Sequence, residues 1–102
     1  MGALHIVSRG GFAPSSLATC LRFLHPGDVL LLVDAAVEAA VHGSPGARQL
    51  AALPAGVTVR VLVSSLLEAG SAGRRLIKGA EFVDFDGFVD LADACTTSVS
   101  WG

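Results

Sequence analysis

Short apolar runs alternate with helix-like stretches along the whole chain, and this alternation limits the fold more than any other feature. The first run, Leu4–Val7, shows no polar–apolar alternation, which favours a strand covered on both faces. Because each pair of runs is separated by a crossover segment, we expect an open α/β fold with a mainly parallel sheet and helices on both faces. The five predicted strands are Leu4–Val7, Val29–Val33, Val57–Val63, Glu81–Val83 and a short last strand at Ser98–Trp101.

The same alternation, combined with right-handed crossovers, predicts the strand order 2-1-3-4 with the first strand in the centre. The last strand is expected to extend the sheet beside strand 4. Four helices are predicted from apolar spacing and from serine, aspartate, glycine and proline at their ends. They are Ser15–Leu24, Ala35–Val41 capped by Asp34, a short helix capped by Ser64 or Ser65, and Asp86–Ala94 with Phe88, Val89 and Leu91 turned inward; one or two further turns are expected within Ala47–Leu53.

The 102 residues leave room for one domain, spanning 1–102, and 52 % of them are hydrophobic. A domain of this size cannot hide so much apolar surface within itself, so we expect part of it to face another subunit.

The formal charge of −2 gives no general attraction to nucleic acid. The longest aliphatic run, Val29–Val33, is too short to span a bilayer, and Met1–Val7 lacks a signal-peptide pattern. We therefore expect a soluble cytoplasmic protein without direct nucleic-acid or membrane binding.

A glycine turn follows the first strand and leads into the first helix. Gly10 and Gly11 allow backbone angles that other residues resist, and Pro14 with Ser15 or Ser16 marks a helix start. In open α/β sheets the loop that leaves the carboxyl end of a strand is where sites are usually built. Cys20, one of only two cysteines, lies on the helix after this turn and is therefore the first candidate for chemistry.

Two interpretations of Cys20 follow from its surroundings in the sequence. It shares an apolar helical stripe with three leucines, which favours a packed and inert thiol. Alternatively, it is a nucleophilic thiol that accepts sulfur with the help of a nearby cation, since it lies too far into the helix for the dipole to contribute much. The stripe consists of Leu17, Cys20, Leu21 and Leu24, and the candidate cations are Arg9, Arg22 and His25.

The remaining reactive residue types favour structural roles. Cys95 follows the last helix and is read as incidental, and His5 within the first strand is read as a hydrogen-bonded interior residue. Two distant cysteines without a CxxC predict neither a zinc site nor a disulfide, and Gly10-Gly11 matches no nucleotide-binding pattern, so we expect no metal and no cofactor. Asp84, Asp86, Asp90 and Asp93 are predicted to be cap and surface residues. The basic residues Arg74, Arg75 and Lys78 are expected to form a solvated loop or, alternatively, to dock an anionic partner or RNA.

Five segments, spread along the whole length of the chain, resemble the DsrH/TusB family of sulfur-relay proteins. They are Leu4–Val7, Leu17–Asp28, Leu53–Val57, Asp84–Leu91 and Val99–Trp101. The resemblance implies a flavodoxin-like, DsrE-like fold and a heterohexamer with DsrE/TusD-like and DsrF/TusC-like subunits. Such complexes pass persulfide sulfur, together with a further sulfur-carrier protein, toward sulfur oxidation or toward 2-thiolation of the tRNA wobble uridine. The principal sulfur-carrying cysteine is then on the DsrE/TusD-like partner.

The resemblance also bears on Cys20, because a matching cysteine is typical of the DsrH branch and favours sulfur oxidation. The chain departs from the family at three places. Gly10-Gly11 stands where members often carry Ser-Pro, Ala35–Glu38 lacks a glycine and an aromatic residue, and Arg60 stands where many have an aromatic residue. These departures affect the expected partner contacts and leave the expected fold unchanged.

Three functional interpretations remain open at the level of sequence. In the leading one, the chain is an accessory, non-catalytic subunit of a sulfurtransferase complex. In the second, it is itself a persulfide carrier through Cys20, supported by Arg9 and Arg22. In the third, it is a homo-oligomeric interaction domain without sulfur chemistry.

Overall fold

The strands form one parallel five-stranded sheet in the computed structural model, which describes residues 2–8 and 16–101. The predicted parallel α/β sheet is therefore confirmed, and each strand begins and ends within one residue of its expected bounds. The strands are β1 (Ala3–Val7), β2 (Val29–Leu32), β3 (Thr58–Leu62), β4 (Ala80–Val83) and β5 (Thr97–Trp101). The helices are α1 (Ser16–Leu21), α2 (Pro45–Leu50), α3 (Val63–Glu68) and α4 (Phe85–Ala94), with a 3₁₀ helix at Asp34–Ala40.

The strand order is β4-β3-β2-β1-β5, so the predicted order 2-1-3-4 is wrong. The central strand is β2, whose four residues are all buried, and β5 pairs with β1 instead of extending the sheet beside β4. A strand that is apolar on both faces is most stable where helices cover both faces. Val29–Leu32 meets this requirement better than β1, which contains His5, and this explains the exchange of places.

The order of the strands also fixes where the helices lie. The chain steps in one direction from β1 to β4, and right-handed crossovers then place α1, the 3₁₀ helix with α2, and α3 on the same face. Only the last connection runs back across the sheet, and it puts α4 on the opposite face. The expectation of helices on both faces is thus confirmed, with three crossovers on one face and one on the other.

Two apolar clusters fill the two sides of the sheet. The larger one joins alternate strand residues, such as Leu30 and Val61, to α1, the 3₁₀ helix, α2 and α3. The smaller one joins Leu4, Val29 and Leu31 to partly buried side chains of α4. No residue of α4 is fully buried.

The face of α4 that meets the sheet differs in one position from expectation. Phe88 and Leu91 pack on the smaller cluster as predicted, together with Ala92. Val89 is exposed, so its predicted inward position is wrong. Residues at 88, 91 and 92 lie on one side of a helix, whereas position 89 is rotated away from them.

The first helix is shorter than predicted. The chain leaves α1 after Leu21 through bonds of the tighter i to i−3 type, from the amides of Arg22 and Phe23. Such bonds satisfy the last carbonyls of a helix and end it. The predicted Gly10-Gly11 turn and the helix-start residues Pro14 and Ser15 lie outside the described residues.

The alanine-rich segment after β2 is a 3₁₀ helix and not the predicted α-helix. Its buried residues recur every three positions, as Ala36 with Ala39 and Val37 with Ala40, which fits three residues per turn. Asp34 does not cap this helix but begins it, with a positive φ of 50°. Its amide donates to the hydroxyl of Ser65, which lies inside α3 and is not its cap.

We predict that Leu30→Ala destabilises the protein by about 2–5 kcal/mol, because the substitution opens a cavity in the larger cluster. Leu30 is 0 % exposed at the centre of the sheet. Leu67→Ala is the matched control, since Leu67 is 63 % exposed and should change stability by about 0.5 kcal/mol or less. Urea unfolding of both variants measures the difference, and equal losses of stability would contradict the assigned core.

Candidate functional site

The helix α1 places Cys20 against the sheet. Cys20 and Leu17 are both 0 % exposed and belong to the larger cluster, as does Leu24 just beyond the helix. The apolar stripe predicted from the spacing is therefore formed, and the thiol of Cys20 is buried away from solvent.

The electrostatic surroundings of Cys20 disfavour a thiolate. Burial, and to a smaller extent the negative charge of Asp28, raise the pKa of the Cys20 thiol to about 12. A nucleophilic cysteine needs the opposite, a nearby cation or a helix amino end that lowers its pKa. In the isolated chain Cys20 is thus held as a neutral thiol.

Of the two arginines predicted to support Cys20, the structure describes Arg22 alone. Arg22 lies beyond the end of α1, and its side chain is exposed while Cys20 is buried. The side chain of His25 is exposed as well. Arg9 lies outside the described residues. The charge that acts on the pKa of Cys20 is the carboxylate of Asp28.

Asp28 was not predicted as a candidate site residue, because the sequence pattern around it indicated only the residue that precedes β2. Its carboxylate is buried and accepts three hydrogen bonds. The Ala3 amide donates to Oδ1 at 2.9 Å, and the His25 amide and His5 Nε2 lie 3.1 and 3.2 Å from Oδ2. A detectable signal was an acid placed between a Pro-Gly turn and a wholly apolar strand, where a buried charge needs partners.

These hydrogen bonds decide the ionisation of Asp28. Burial alone would raise the pKa of its carboxyl, but the bonds from the Ala3 and His25 amides and from the His5 ring hold the pKa below its ordinary value. The fit is close, since a Cβ added at Gly2 would lie 2.3 Å from Oδ1 of Asp28. The carboxylate therefore fastens the start of β1 to the turn before β2.

His5 extends this network to the carboxyl-terminal strand. The Trp101 indole Nε1–H donates to His5 Nδ1 at 3.1 Å. Since an indole N–H can only donate, Nδ1 is the acceptor and Nε2 carries the proton that faces Asp28. The Trp101 ring also stacks on Phe23, with ring centroids 5.5 Å apart. The prediction that His5 is a hydrogen-bonded interior residue is confirmed.

A second feature lies at the carboxyl ends of β2 and β3, where sheets of this kind usually build sites. It is an open cavity of about 290 Å³ lined by Asp34, Ala35, Ser65, Glu68 and Ala69. The hydroxyl of Ser65 already accepts from the Asp34 amide at 2.9 Å. The lining offers two carboxylates and no thiol, so this cavity is separate from the Cys20 position.

The other candidates occupy structural positions. Cys95 is buried at the end of α4, where its amide donates to the Leu91 carbonyl, and burial raises the pKa of its thiol. Asp84 caps α4 by accepting from the Gly87 amide at 2.7 Å.

Within residues 2–8 and 16–101, no three His, Cys, Asp or Glu side chains are grouped so as to hold a metal ion. The basic loop residues Arg74, Arg75 and Lys78 and the acidic residues Asp86, Asp90 and Asp93 are all exposed.

Several large apolar side chains are exposed, as the composition led us to expect. Three of them lie near one another in sequence at β4 and the start of α4, namely Phe82, Phe85 and Val89. Phe85 is 69 % exposed and contacts Phe88 edge-on, with ring centroids 6.0 Å apart. Such surface is typical of a protein that packs against another subunit.

Comparisons with known proteins agree with this architecture. The sequence model of the family described as DsrH-like protein matches residues 10–98. The crystal structure of the ychN protein from E. coli superposes with a TM-score of 0.73 at 19 % sequence identity, covering 98 % of this chain and 99 % of that one. At this identity the structural likeness shows the fold alone. None of the curated proteins compared gives a significant match. In the described parts of the chain, no helix is long and apolar enough to cross a membrane.

We predict that Cys20 resists alkylation in the folded chain. With a pKa of about 12, its thiolate fraction at pH 8 is about a thousandfold below that of free cysteine. Iodoacetamide labelling at pH 8, followed by peptide mass analysis, measures Cys20 and Cys95 separately. In urea Cys20 should label at the rate of a free cysteine, and native labelling at that same rate would contradict its assigned burial.

We also predict that Asp28→Asn removes a pH-dependent part of the stability. A carboxyl whose pKa is lowered by folding stabilises the native state above its unfolded pKa, and this stabilisation is lost as the pH falls through the folded value. The variant should therefore be less stable by about 1–3 kcal/mol at pH 7, with a gap that narrows below about pH 4. The measurement is urea unfolding of the original chain and the variant at pH 7 and again below pH 4, with substitution of the exposed Asp90 by Asn as the control. A gap that is the same at both pH values would contradict the role assigned to the carboxylate.

Proposed function

Because this chain belongs to the DsrH-like family of sulfur-relay complex subunits, we propose that it is an accessory subunit of such a complex and not the chain that carries the sulfur. The observation that carries this proposal is the state of Cys20. A carrier must present a thiolate to its donor, whereas this thiol is 0 % exposed and has its pKa raised to about 12. In its isolated form the chain is suited to support a partner's cysteine.

We propose DsrE/TusD-like and DsrF/TusC-like chains as the partners, in a cytoplasmic heterohexamer that works with a further sulfur-carrier protein. The principal sulfur-carrying cysteine is then on the DsrE/TusD-like subunit. Exposed apolar side chains support this association, since Phe82 and Phe85 are each more than half exposed. Each interface in such a complex should bury about 1,000 Å² or more in total, with a mainly apolar centre.

For Cys20 we propose at most the role of a secondary sulfur acceptor. Transfer to it requires that α1 be opened by a partner, so that its thiol loses a proton and attacks the outer sulfur of a donor persulfide. The S–S bond of the donor then breaks, and the donor leaves as a thiolate. Arg9 and Arg22 are the cations proposed to hold the resulting negative charge. The presence of Cys20 favours sulfur oxidation over tRNA 2-thiolation as the pathway.

We predict that Cys20→Ser leaves the complex assembled and active in sulfur transfer. The two side chains are close in size, so assembly should survive a loss of about 1–3 kcal/mol from the buried hydroxyl. The chain is co-expressed with DsrE- and DsrF-like chains, and the purified complex is exposed to a persulfide donor. Persulfide labelling of each subunit by intact mass should fall far less than on removal of the DsrE-like partner's own cysteine. Cys95→Ser is the matched control.

Three other outcomes would each reject a separate part of this proposal. Complete loss of transfer in the Cys20→Ser complex would make the chain an obligatory carrier. Failure to associate with either partner, together with self-association in sedimentation, would favour a homo-oligomeric interaction domain. A stable monomer that ignores both partners would reject the assignment to a complex.

A further inference from the structure

The imidazole of His5 is held at both nitrogens by groups of opposite character. Nε2 lies 3.2 Å from the Asp28 carboxylate, and Nδ1 accepts from the Trp101 indole at 3.1 Å. The side chain of His5 is only 6 % exposed. The neutral Nε2–H tautomer satisfies both contacts, whereas the Nδ1–H tautomer would satisfy neither, because it would turn a donor toward the indole N–H and a lone pair toward the carboxylate.

A second proton on His5 would act in opposite directions at the two ends of the ring. At Nε2 the contact with Asp28 would become an ion pair between buried groups. At Nδ1 the new N–H would face the indole N–H, and two donors at this distance cannot share a hydrogen bond. Histidine is the side chain that ordinarily gains this proton between about pH 8 and pH 5.

The charged and titratable groups around this ring belong to a small number of elements among the described residues. The turn before β2 supplies Asp28 and also His25, whose amide donates to the carboxylate oxygen that His5 contacts and whose side chain is exposed. The helix α1 supplies Cys20, whose pKa is raised in part by the charge of Asp28. Leu30 and Val99, the register neighbours of His5 on the two flanking strands, carry no charge. The carboxylate is therefore the group that receives a charged His5, and on the β5 side His5 meets the indole.

Trp101 is the last residue of β5, and among the described strands β5 lies at the edge of the sheet beside β1. Its ring packs on Phe23 and on the larger cluster, and its carbonyl accepts from the Ser8 amide at 3.2 Å. The remainder of β5, Thr97–Ser100, is exposed. The indole contact with His5 is thus one attachment of the end of this strand, beside its pairing with β1.

We propose that His5 is a proton-sensitive latch on the end of β5. A second proton on Nδ1 breaks the hydrogen bond from Trp101 and releases its ring from Phe23. The His5–Asp28 contact remains closed, so the opening is confined to the β5 edge and does not unfold the sheet. This inference is independent of the sulfur-relay function proposed above.

The test is nuclear magnetic resonance of the full chain, because Trp101 is its only tryptophan and gives one indole N–H resonance. At pH 8 we expect the His5 nitrogen shifts of the Nε2–H tautomer and a scalar coupling across the hydrogen bond between Trp101 Nε1 and His5 Nδ1. As the pH is lowered from 8 to 5, the coupling should vanish. The exchange rate of the Ser8 amide should rise at least about tenfold, after correction for intrinsic exchange, while the amides of β2 keep their protection.

Two substitutions of His5 separate its two contacts. In the unsubstituted chain, release of the Trp101 ring should give a pH-dependent step in its fluorescence. In His5→Asn the side-chain oxygen can take the place of Nδ1 as acceptor without titrating, so this step should disappear. In His5→Gln the terminal amide reaches toward Asp28 and leaves the indole unpaired, so Trp101 should be released at every pH. His25→Gln and His42→Gln are the controls that should retain the step, since both histidines are exposed.

Several results would overturn the latch. They are an Nδ1–H tautomer at pH 8, an indole resonance that does not change while His5 titrates, and a His5 that stays neutral until the chain unfolds in acid. Loss of the fluorescence step in His25→Gln or His42→Gln would assign the transition to another histidine and would reject it too. The tautomer and coupling measurements use the unsubstituted chain, so they decide the question even where His5→Asn or His5→Gln fails to fold.

Discussion

The buried carboxylate of Asp28 joins parts of the chain that are far apart in sequence. It accepts from the amide of Ala3 at the start of β1 and from His25 in the turn before β2, and through His5 it reaches Trp101 at the end of β5. A charge taken out of water is costly unless it is paired and hydrogen-bonded, so these partners must all be in place. One side chain therefore links β1, the turn before β2 and, through His5, the end of β5.

The direction of the crossovers gives the molecule two unequal sides. Among the described residues, one face of the sheet is covered by three helices and the 3₁₀ helix, and the other by α4, which has no fully buried side chain. Charge is also uneven along the sequence, since all seven Lys and Arg residues lie at or before Lys78 and five of the nine acidic residues lie after it. The segment that holds β4 and α4 thus combines exposed Phe82 and Phe85 with an excess of acidic residues.

The local sequence pattern predicted the helices and strands well. It failed for features that depend on contacts between residues far apart in sequence. The strands of the sheet and α4 were predictable because apolar runs, glycines and the Asp84 cap act over a few residues. The strand order was not, because it depends on which strand gains most from cover on both faces, and that comparison favours Val29–Leu32. The roles of Ser65 and Asp34 were missed for a related reason, since their hydrogen bond joins residues that are 31 positions apart.

The candidate site shows the same division between local and distant contacts. The spacing of Leu17, Cys20 and Leu24 predicted one apolar stripe, and it predicted burial of the thiol as one of two interpretations. The charge that acts on that thiol was not predictable from spacing, because it belongs to Asp28, eight positions along the chain in another element. A carboxylate beside a buried thiol opposes the thiolate that persulfide transfer requires. The same carboxylate also fastens β1 to the turn before β2, so removing its charge would loosen the sheet. In the proposed role of Cys20 as a secondary acceptor, activation would therefore come from a change in α1.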